Sequence, residues 1–303
     1  MCPNCARQGH MKTYFECIPC LLRQTLEAAR LTTDDKAIHE QIIRKVLRAA
    51  SEMNLRNPPP LMAQRIHRLI RQMTGDNDPY RDIKHHFNDF ALELYPELKK
   101  RIERSREPLD TAIRLAIAGN IIDSGVNHYI NETLVHNAIE HALTAPLAGD
   151  PKQLREAVSE AKDILYLADN AGEIVFDRLL IEQMPLEKIT LVVKGSPIIN
   201  DACLADARAT GIADLVEVID NGSDAPGTIL GACSEEFKRR FENANLIIAK
   251  GQGNYETLSD VKKDIFFVLK AKCPVIAHHI GCEVGSLVFL KSVRGEKDYG
   301  EKR

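Results

Sequence analysis

LYLADNAGEIVF, Leu165 to Phe176, is apolar through Ala168, sets an acid beside an amide at Asp169 and Asn170, and opens a second apolar run past Gly172. A short apolar segment that stops on polar residues and yields to a helix near Glu173 is half of a strand-to-helix crossover. The texture recurs after Asp150-Pro151. ILYLA at Ile164, ITLVVK at Ile189, LVEVID at Leu215, NLIIAK at Asn245, IFFVL at Ile265 and PVIAHH at Pro274 read as buried strands. Helical stretches such as GEIVFDRLLIEQM and SEEFKRRFENA separate most of them. Strands alternating with helices predict a mainly parallel sheet covered on both faces, a three-layer α/β domain over residues 151–303.

Upstream the period changes. From Phe15 to about Leu143 apolar residues recur at helical spacing, as at Leu22, Leu26 and Ala29, then Ile38, Ile42, Val46 and Leu47. Asn57-Pro58-Pro59-Pro60 and Gly75-Asp76-Asn77-Asp78-Pro79 break this half into separate helices, because proline cannot continue a helix. Residues 1–150 therefore read as an all-helical domain. GDNDPYRDIK reads as an interhelix turn with Asp78 and Lys84 in solvent, and His278 and His279 as a pair following a strand, of which at most one faces a site.

With 303 residues, 44% of them hydrophobic, the chain can bury a full core. Its 40 basic and 43 acidic residues leave a net charge of -3, which points to neither nucleic acid nor an anionic membrane and favours a small-molecule partner. No apolar run approaches the roughly 18 residues of a membrane span, and MCPNCARQGH lacks the apolar core of a signal peptide. A cytoplasmic location is expected. Gly9-His10-Met11 resembles a cloning junction, which makes Met11 a candidate natural start and residues 1–10 extra. CPNC and CIPC are both Cys-x-x-Cys pairs, so Cys17 and Cys20 are candidate ligands of a second metal, with His10 as a further ligand, or are simply buried thiols.

In parallel sheets ligands bind beyond the carboxyl ends of the strands, which is where the polar residues gather. After Asp169-Asn170 come Lys194, Gly195 and Asn200-Asp201, then Gly222-Ser223-Asp224 with Gly227-Thr228, then Lys250, Gly251, Gly253 and Asn254. Asp169, Asn170 and Asp201 supply hard oxygen donors suited to Mg2+ or Mn2+. Gly172, Gly251 and Gly253 let backbone approach an anion, and Lys250 offers a point charge to a phosphate. Each loop alone is compatible with a helix cap or turn, whereas four on one rim describe a phosphoryl-transfer site. Neither GxGxxG nor GxxxxGK[ST] is present, which argues against a Rossmann dehydrogenase and an NTP-driven kinase. Asn120 and Asp123, three apart in AIAGNIIDSG, share a helical face.

The set ECIPC, GDNDPY, AGNIID, LADNAGE, KGSPIINDA, NGSDAPGT and AKGQGNYETL resembles the family known as domain of unknown function 89, described as metal-dependent damage-control phosphatases. The likeness runs from Met11 to about Leu290 and is greatest to a compact microbial branch with a Cys-x-x-Cys near the start. It implies a Rossmann-like α/β domain joined to a helical domain, and a divalent metal on Asp169, Asn170 and Asp201. It further implies that Gly119, Asn120 and Asp123 face the site and that Lys250 binds the substrate phosphate. Asn77 inside the GDPY-like turn and the extra CPNC depart from the family pattern.

The expected activity is hydrolysis of small phosphate monoesters, such as sugar phosphates, nucleotides or damaged phosphometabolites, with Mg2+ or Mn2+ and with Ni2+ or Co2+ as further candidates. Water is the expected nucleophile, and Asp169 the lesser alternative, because no Asp-x-Asp motif is present. Asn120, Asp123, Asp224 and Asn254 are assigned to substrate orientation. A non-catalytic binder of nucleotides or sugar phosphates and a methyltransferase are the alternatives. The sequence leaves oligomeric state open.

Overall fold

A computed structural model describes residues 10–120 and 132–292, so Asp123, Cys2 and Cys5 lie outside the described residues. The mixed α/β architecture predicted from the alternation is what the chain adopts. Three helices come first: α1 (Cys17–Thr32), α2 (Lys36–Ser51) and α3 (Pro59–Thr74). They bury Leu21, Ile42, Val46, Met62, Ile66 and Ile70 against one another. The proline break works from both sides: α2 ends before it, and Pro59 and Pro60 fit the first turn of α3, where no N–H partner is lost.

Three more helices, α4 (Arg81–Glu103), α5 (Pro108–Ala118) and α6 (Glu132–Thr144), precede a short strand β1 (Leu147–Ala148). The alternating half then follows as α7 (Pro151–Glu160), β2 (Ile164–Leu167), α8 (Glu173–Ile181), β3 (Ile189–Val193), α9 (Leu204–Ala209) and β4 (Glu217–Asp220). It continues as α10 (Glu235–Asn243), β5 (Leu246–Lys250), α11 (Gly251–Leu258), β6 (Ile265–Lys270), α12 (Pro274–Ile280) and β7 (Leu287–Lys291).

The described strands form one sheet in the order β1-β7-β6-β5-β2-β3-β4, parallel throughout except for the antiparallel pair β6 and β7. The inner strand β2 is buried on both faces. Ile164 and Tyr166 join a core with α4 to α9, while Leu165 and Leu167 join a second core with α10, α11 and α12. Burying each such side chain stabilises the fold by about 1.5–3 kcal/mol. Residue 150 marks a change of sequence texture, yet the first core runs across it, since α4, α5 and α6 pack on the same sheet face as α8.

PVIAHH is not a strand. Proline cannot donate to a ladder but suits a helix start, and Pro274 opens α12, which closes at Gly281 in the left-handed region. His279 is thereby buried against the Tyr255 hydroxyl, 2.8 Å from its Nδ1, and His278 is exposed. The strand that completes this edge is LVFLK, at β7.

A second face of α3 docks on the sheet's carboxyl rim. Gln64, Arg68 and Arg71 all donate to the Asp224 carboxylate, and Arg71 Nη1 also donates to Pro197 O at 3.0 Å. Burial alone would raise the Asp224 carboxyl, but hydrogen bonds from Arg68 and Gln64 and the charges of Arg68 and Arg71 bring it down to about 2. A carboxyl held this low stabilises the fold fully above the ordinary carboxylate range, and that contribution is lost as pH falls through about 4 toward 2. Arg68 is half exposed, so solvent screening limits the contribution to about 1 kcal/mol. Asp224→Asn is expected to lower the thermal midpoint by roughly 2 °C at neutral pH. Melts repeated from pH 5 down to pH 2 should show the two proteins converging.

Candidate functional site

The strand order reverses beside β2, whose neighbours are β3 on one side and β5 on the other. Open parallel sheets leave their crevice at such a switch point, beyond the carboxyl ends of the two strands. Asp169 and Asn170 follow β2, and Lys250 ends β5. The four polar loops are knitted into one rim by backbone hydrogen bonds. Ala202 N donates to Asp169 O at 2.8 Å, Ala171 N to Asn200 O at 2.9 Å and Gly195 N to Ser223 O at 3.0 Å. A bridge between Asn170 and Asp201 sets the two predicted ligand positions side by side.

Asp169, Asn170, Glu173 and Asn120 form a buried polar group. Asn170 Nδ2 lies 3.2 Å from both Asp169 Oδ2 and Glu173 Oε2, and Asn120 Nδ2 lies 2.8 Å from Glu173 Oε2 and 3.4 Å from Asp169 Oδ2. Asn120 stands two residues beyond α5, and Gly119 allows that approach: a Cβ there would meet Phe176 Cβ of α8 at 2.9 Å.

Lys250 is placed differently from its expected role on a phosphate. Its ammonium has no exposure and donates to Glu173 Oε1 and Asp177 Oδ1, each at 2.6 Å, and to Ala116 O at 2.9 Å. Three N–H groups meet three acceptors beneath the rim. Burial would lower the lysine, but Asp177 and Glu173 raise it well above the ordinary range. Burial raises Asp177, opposed by the Lys250 charge, and Asp177 also accepts from Tyr166 Oη at 2.9 Å.

The lysine beside the predicted ligands is Lys194, just after β3. Its Nζ forms an ion pair with Asp201 Oδ2 at 3.3 Å and donates to Gly227 O. Cys203 follows two residues after Asp201, but burial, together with Asp206 and Asp201 and against the pull of Lys84, pushes its thiol up to about 12, so it is not a nucleophile at neutral pH.

Other predicted contacts hold the scaffold. Asn254 is fully buried, donating to Ala168 O and Lys250 O and accepting from Thr228 Oγ1, and Asp224 is occupied by α3. Gly172 N donates to Asn88 Oδ1 at 2.7 Å, and Gly253 packs against Gly227. Asp78 and Lys84 are not solvated. Lys84 is buried, 3.0 Å from Asp78 and 3.7 Å from Asp206, and Asp206 accepts from Asn88 Nδ2, so the interhelix turn props the Asp169 loop from α4. Local sequence shows a turn there but not the α9 carboxylate that draws Lys84 inward. Cys17 is half buried and Cys20 exposed at the start of α1.

Among the described residues no three His, Cys, Asp or Glu side chains gather as a metal-ligand group. The donors that meet at the switch point are of another mix, two aspartates and two asparagines. Four carboxylates, Asp169, Glu173, Asp177 and Asp201, face two ammonium groups, Lys194 and Lys250, an excess of negative charge that suits a divalent cation. Asn120 Oδ1 is buried with no hydrogen-bond partner among the described residues. All-oxygen donors of this kind fit Mg2+ or Mn2+.

Gly251 has φ +77, and a Cβ there would stand 1.8 Å from Asp169 Oδ2. Gly251→Ala is therefore expected to destabilise the fold by about 2 kcal/mol through strain and collision, measured by denaturant unfolding.

The model of the damage-control phosphatase ARMT1-like domain matches residues 13–288. An uncharacterised protein of Methanocaldococcus jannaschii is 38% identical over 290 residues, covering 91% of this chain and 94% of that one. A protein named damage-control phosphatase from Archaeoglobus fulgidus is 37% identical over 279 residues, with 90% and 96% covered. The crystal structure of a DUF89 family protein from Pyrococcus horikoshii superposes with a TM-score of 0.85 at 33% identity, covering 94% of this chain and all of that one. The chain belongs to the damage-control phosphatase ARMT1-like family.

Proposed function

We propose that the chain is a metal-dependent phosphomonoesterase acting on small phosphorylated metabolites: sugar phosphates, nucleotides or damaged phosphometabolites. The observation that carries this reading is the convergence of Asp169, Asn170 and Asp201 at the switch point, with Lys194 beside Asp201. Relatives named damage-control phosphatases support it. Asp169, Asn170 and Asp201 would hold Mg2+ or Mn2+, with Ni2+ or Co2+ as further candidates, and that cation would supply Lewis-acid chemistry to a phosphoryl oxygen and to water.

The remaining work falls to the chain's own groups. Lys194, an ammonium beside Asp201, offsets charge on the phosphoryl oxygens where the neighbouring carboxylates would otherwise repel a phosphate. Asp169 Oδ2 faces the amide hydrogens of Asn120 and Asn170, which hold the carboxylate as a ligand and leave attack to water. Burial of the whole group keeps the local dielectric low and strengthens each of these interactions. Among the described residues no helix is long and apolar enough to cross a membrane.

Metal-stripped protein should hydrolyse p-nitrophenyl phosphate and members of a sugar-phosphate and nucleotide panel only when Mg2+, Mn2+, Co2+ or Ni2+ is restored. Asp169→Ala should lose at least 100-fold of kcat/KM, about 2.7 kcal/mol, while keeping its circular dichroism. Activity retained by the folded variant would refute the metal assignment. Silence under every metal would favour a binding protein instead.

A further inference from the structure

Beneath the ligand residues lies a carboxylate that the reaction does not use directly. Glu173 opens α8 and is 1% exposed, with its two oxygens assigned to different tasks. Oε1 accepts from Lys250 at 2.6 Å, and Oε2 accepts from Asn120 Nδ2 at 2.8 Å and from Asn170 Nδ2 at 3.2 Å. Each asparagine turns its NH2, its only side-chain donor, toward this carboxylate oxygen. Both amide oxygens then point away from Glu173. In Asn120 that oxygen is buried without a partner among the described residues, while its NH2 also lies 3.4 Å from Asp169 Oδ2.

We propose that Glu173 is a positioning residue that aims the Oδ1 atoms of Asn170 and Asn120 at one divalent cation, which makes Asn120 an added oxygen donor beside Asp169, Asn170 and Asp201. The inference rests on the metal-dependent reading above. Lys250 anchors Glu173 Oε1 at 2.6 Å, and Asp177 meets Lys250 from the far side at 2.6 Å. Partners that orient metal ligands in this way usually control affinity by 10- to 100-fold. Glutamine at this position would keep one acceptor and present an NH2 either to the ammonium or to the asparagine amides. One of the two tasks would fail.

The test is a calorimetric titration of Mn2+ into the metal-stripped full chain, with no phosphate ester present. Glu173→Gln is expected to weaken Mn2+ binding at least about 10-fold. Asp177→Asn keeps an acceptor oxygen for the same lysine and touches neither asparagine, and is expected to change affinity by less than about threefold. Equal weakening by the two variants would show a merely structural role and overturn the proposal, as would wild-type affinity in Glu173→Gln. Should Glu173→Gln unfold, Asn120→Ala reads the added donor directly: about 10-fold weaker Mn2+ binding is expected, and unchanged binding overturns it. A wild-type chain that binds no Mn2+ would overturn the metal reading and this inference together. Hydrolysis assayed in parallel decides the phosphatase reading separately.

Discussion

Lys250 carries a full charge with no exposure to solvent, and the carboxylates of Glu173 and Asp177 are what make that burial tolerable. A buried ammonium left with no acceptor in place of one such partner costs roughly 3–5 kcal/mol, which is why two carboxylates accompany it. Geometry follows from the pairing. Lys250 ends β5, Glu173 and Asp177 lie one turn apart on α8, and Ala116 O, also bonded to Lys250, belongs to α5. The cluster therefore ties the central strand pair to the helices on one face, and it does so directly beneath Asp169 and Asn170.

The rim above is built from parts that serve each other. Strand order brings the loops after β5, β2, β3 and β4 into one row, and backbone hydrogen bonds from Ala171, Ala202 and Gly195 lock neighbouring loops in register. The helical half approaches from two directions. Through α3 it holds Asp224 with Gln64, Arg68 and Arg71, and through α4 it props Gly172 with Asn88, which is itself held by Asp206. Small glycines let these elements close. Without Gly251 the chain would collide with the Asp169 carboxylate, and without Gly119 the α5 end would collide with Phe176.

Much of this was legible in order along the chain. The alternation of apolar runs and helical stretches marked β2, β3, β5 and β6, because a strand buried on both faces must be apolar throughout, and it marked β4 too, although that edge strand is only partly buried. The pair Asp169-Asn170 stood out for the same reason, as polar residues at the end of such a run. Edge elements were harder. PVIAHH has a strand's composition, yet Pro274 opens a helix, and the short β1 has only two residues to show a period. Asp78 and Lys84 were misplaced because a charged turn is solvated by default, and nothing local reveals Asp206.

By itself the sequence determined the class of fold, the motif positions and the donor chemistry, since periodicity and residue type are local properties. Which donors face the crevice was decided by tertiary structure. Lys194 and Lys250 both stand at the carboxyl end of a strand run and precede a glycine, but Lys194 emerges beside Asp201 while Lys250 meets Glu173, Asp177 and a helix carbonyl. Asn120 and Asn254 are chemically the same side chain, and only packing separates an amide oxygen left without a partner among the described residues from one held by Thr228. Desolvation and pairing depend on what lies within a few ångströms in space, and the carbonyl that meets Lys250 comes from 134 residues away in the chain.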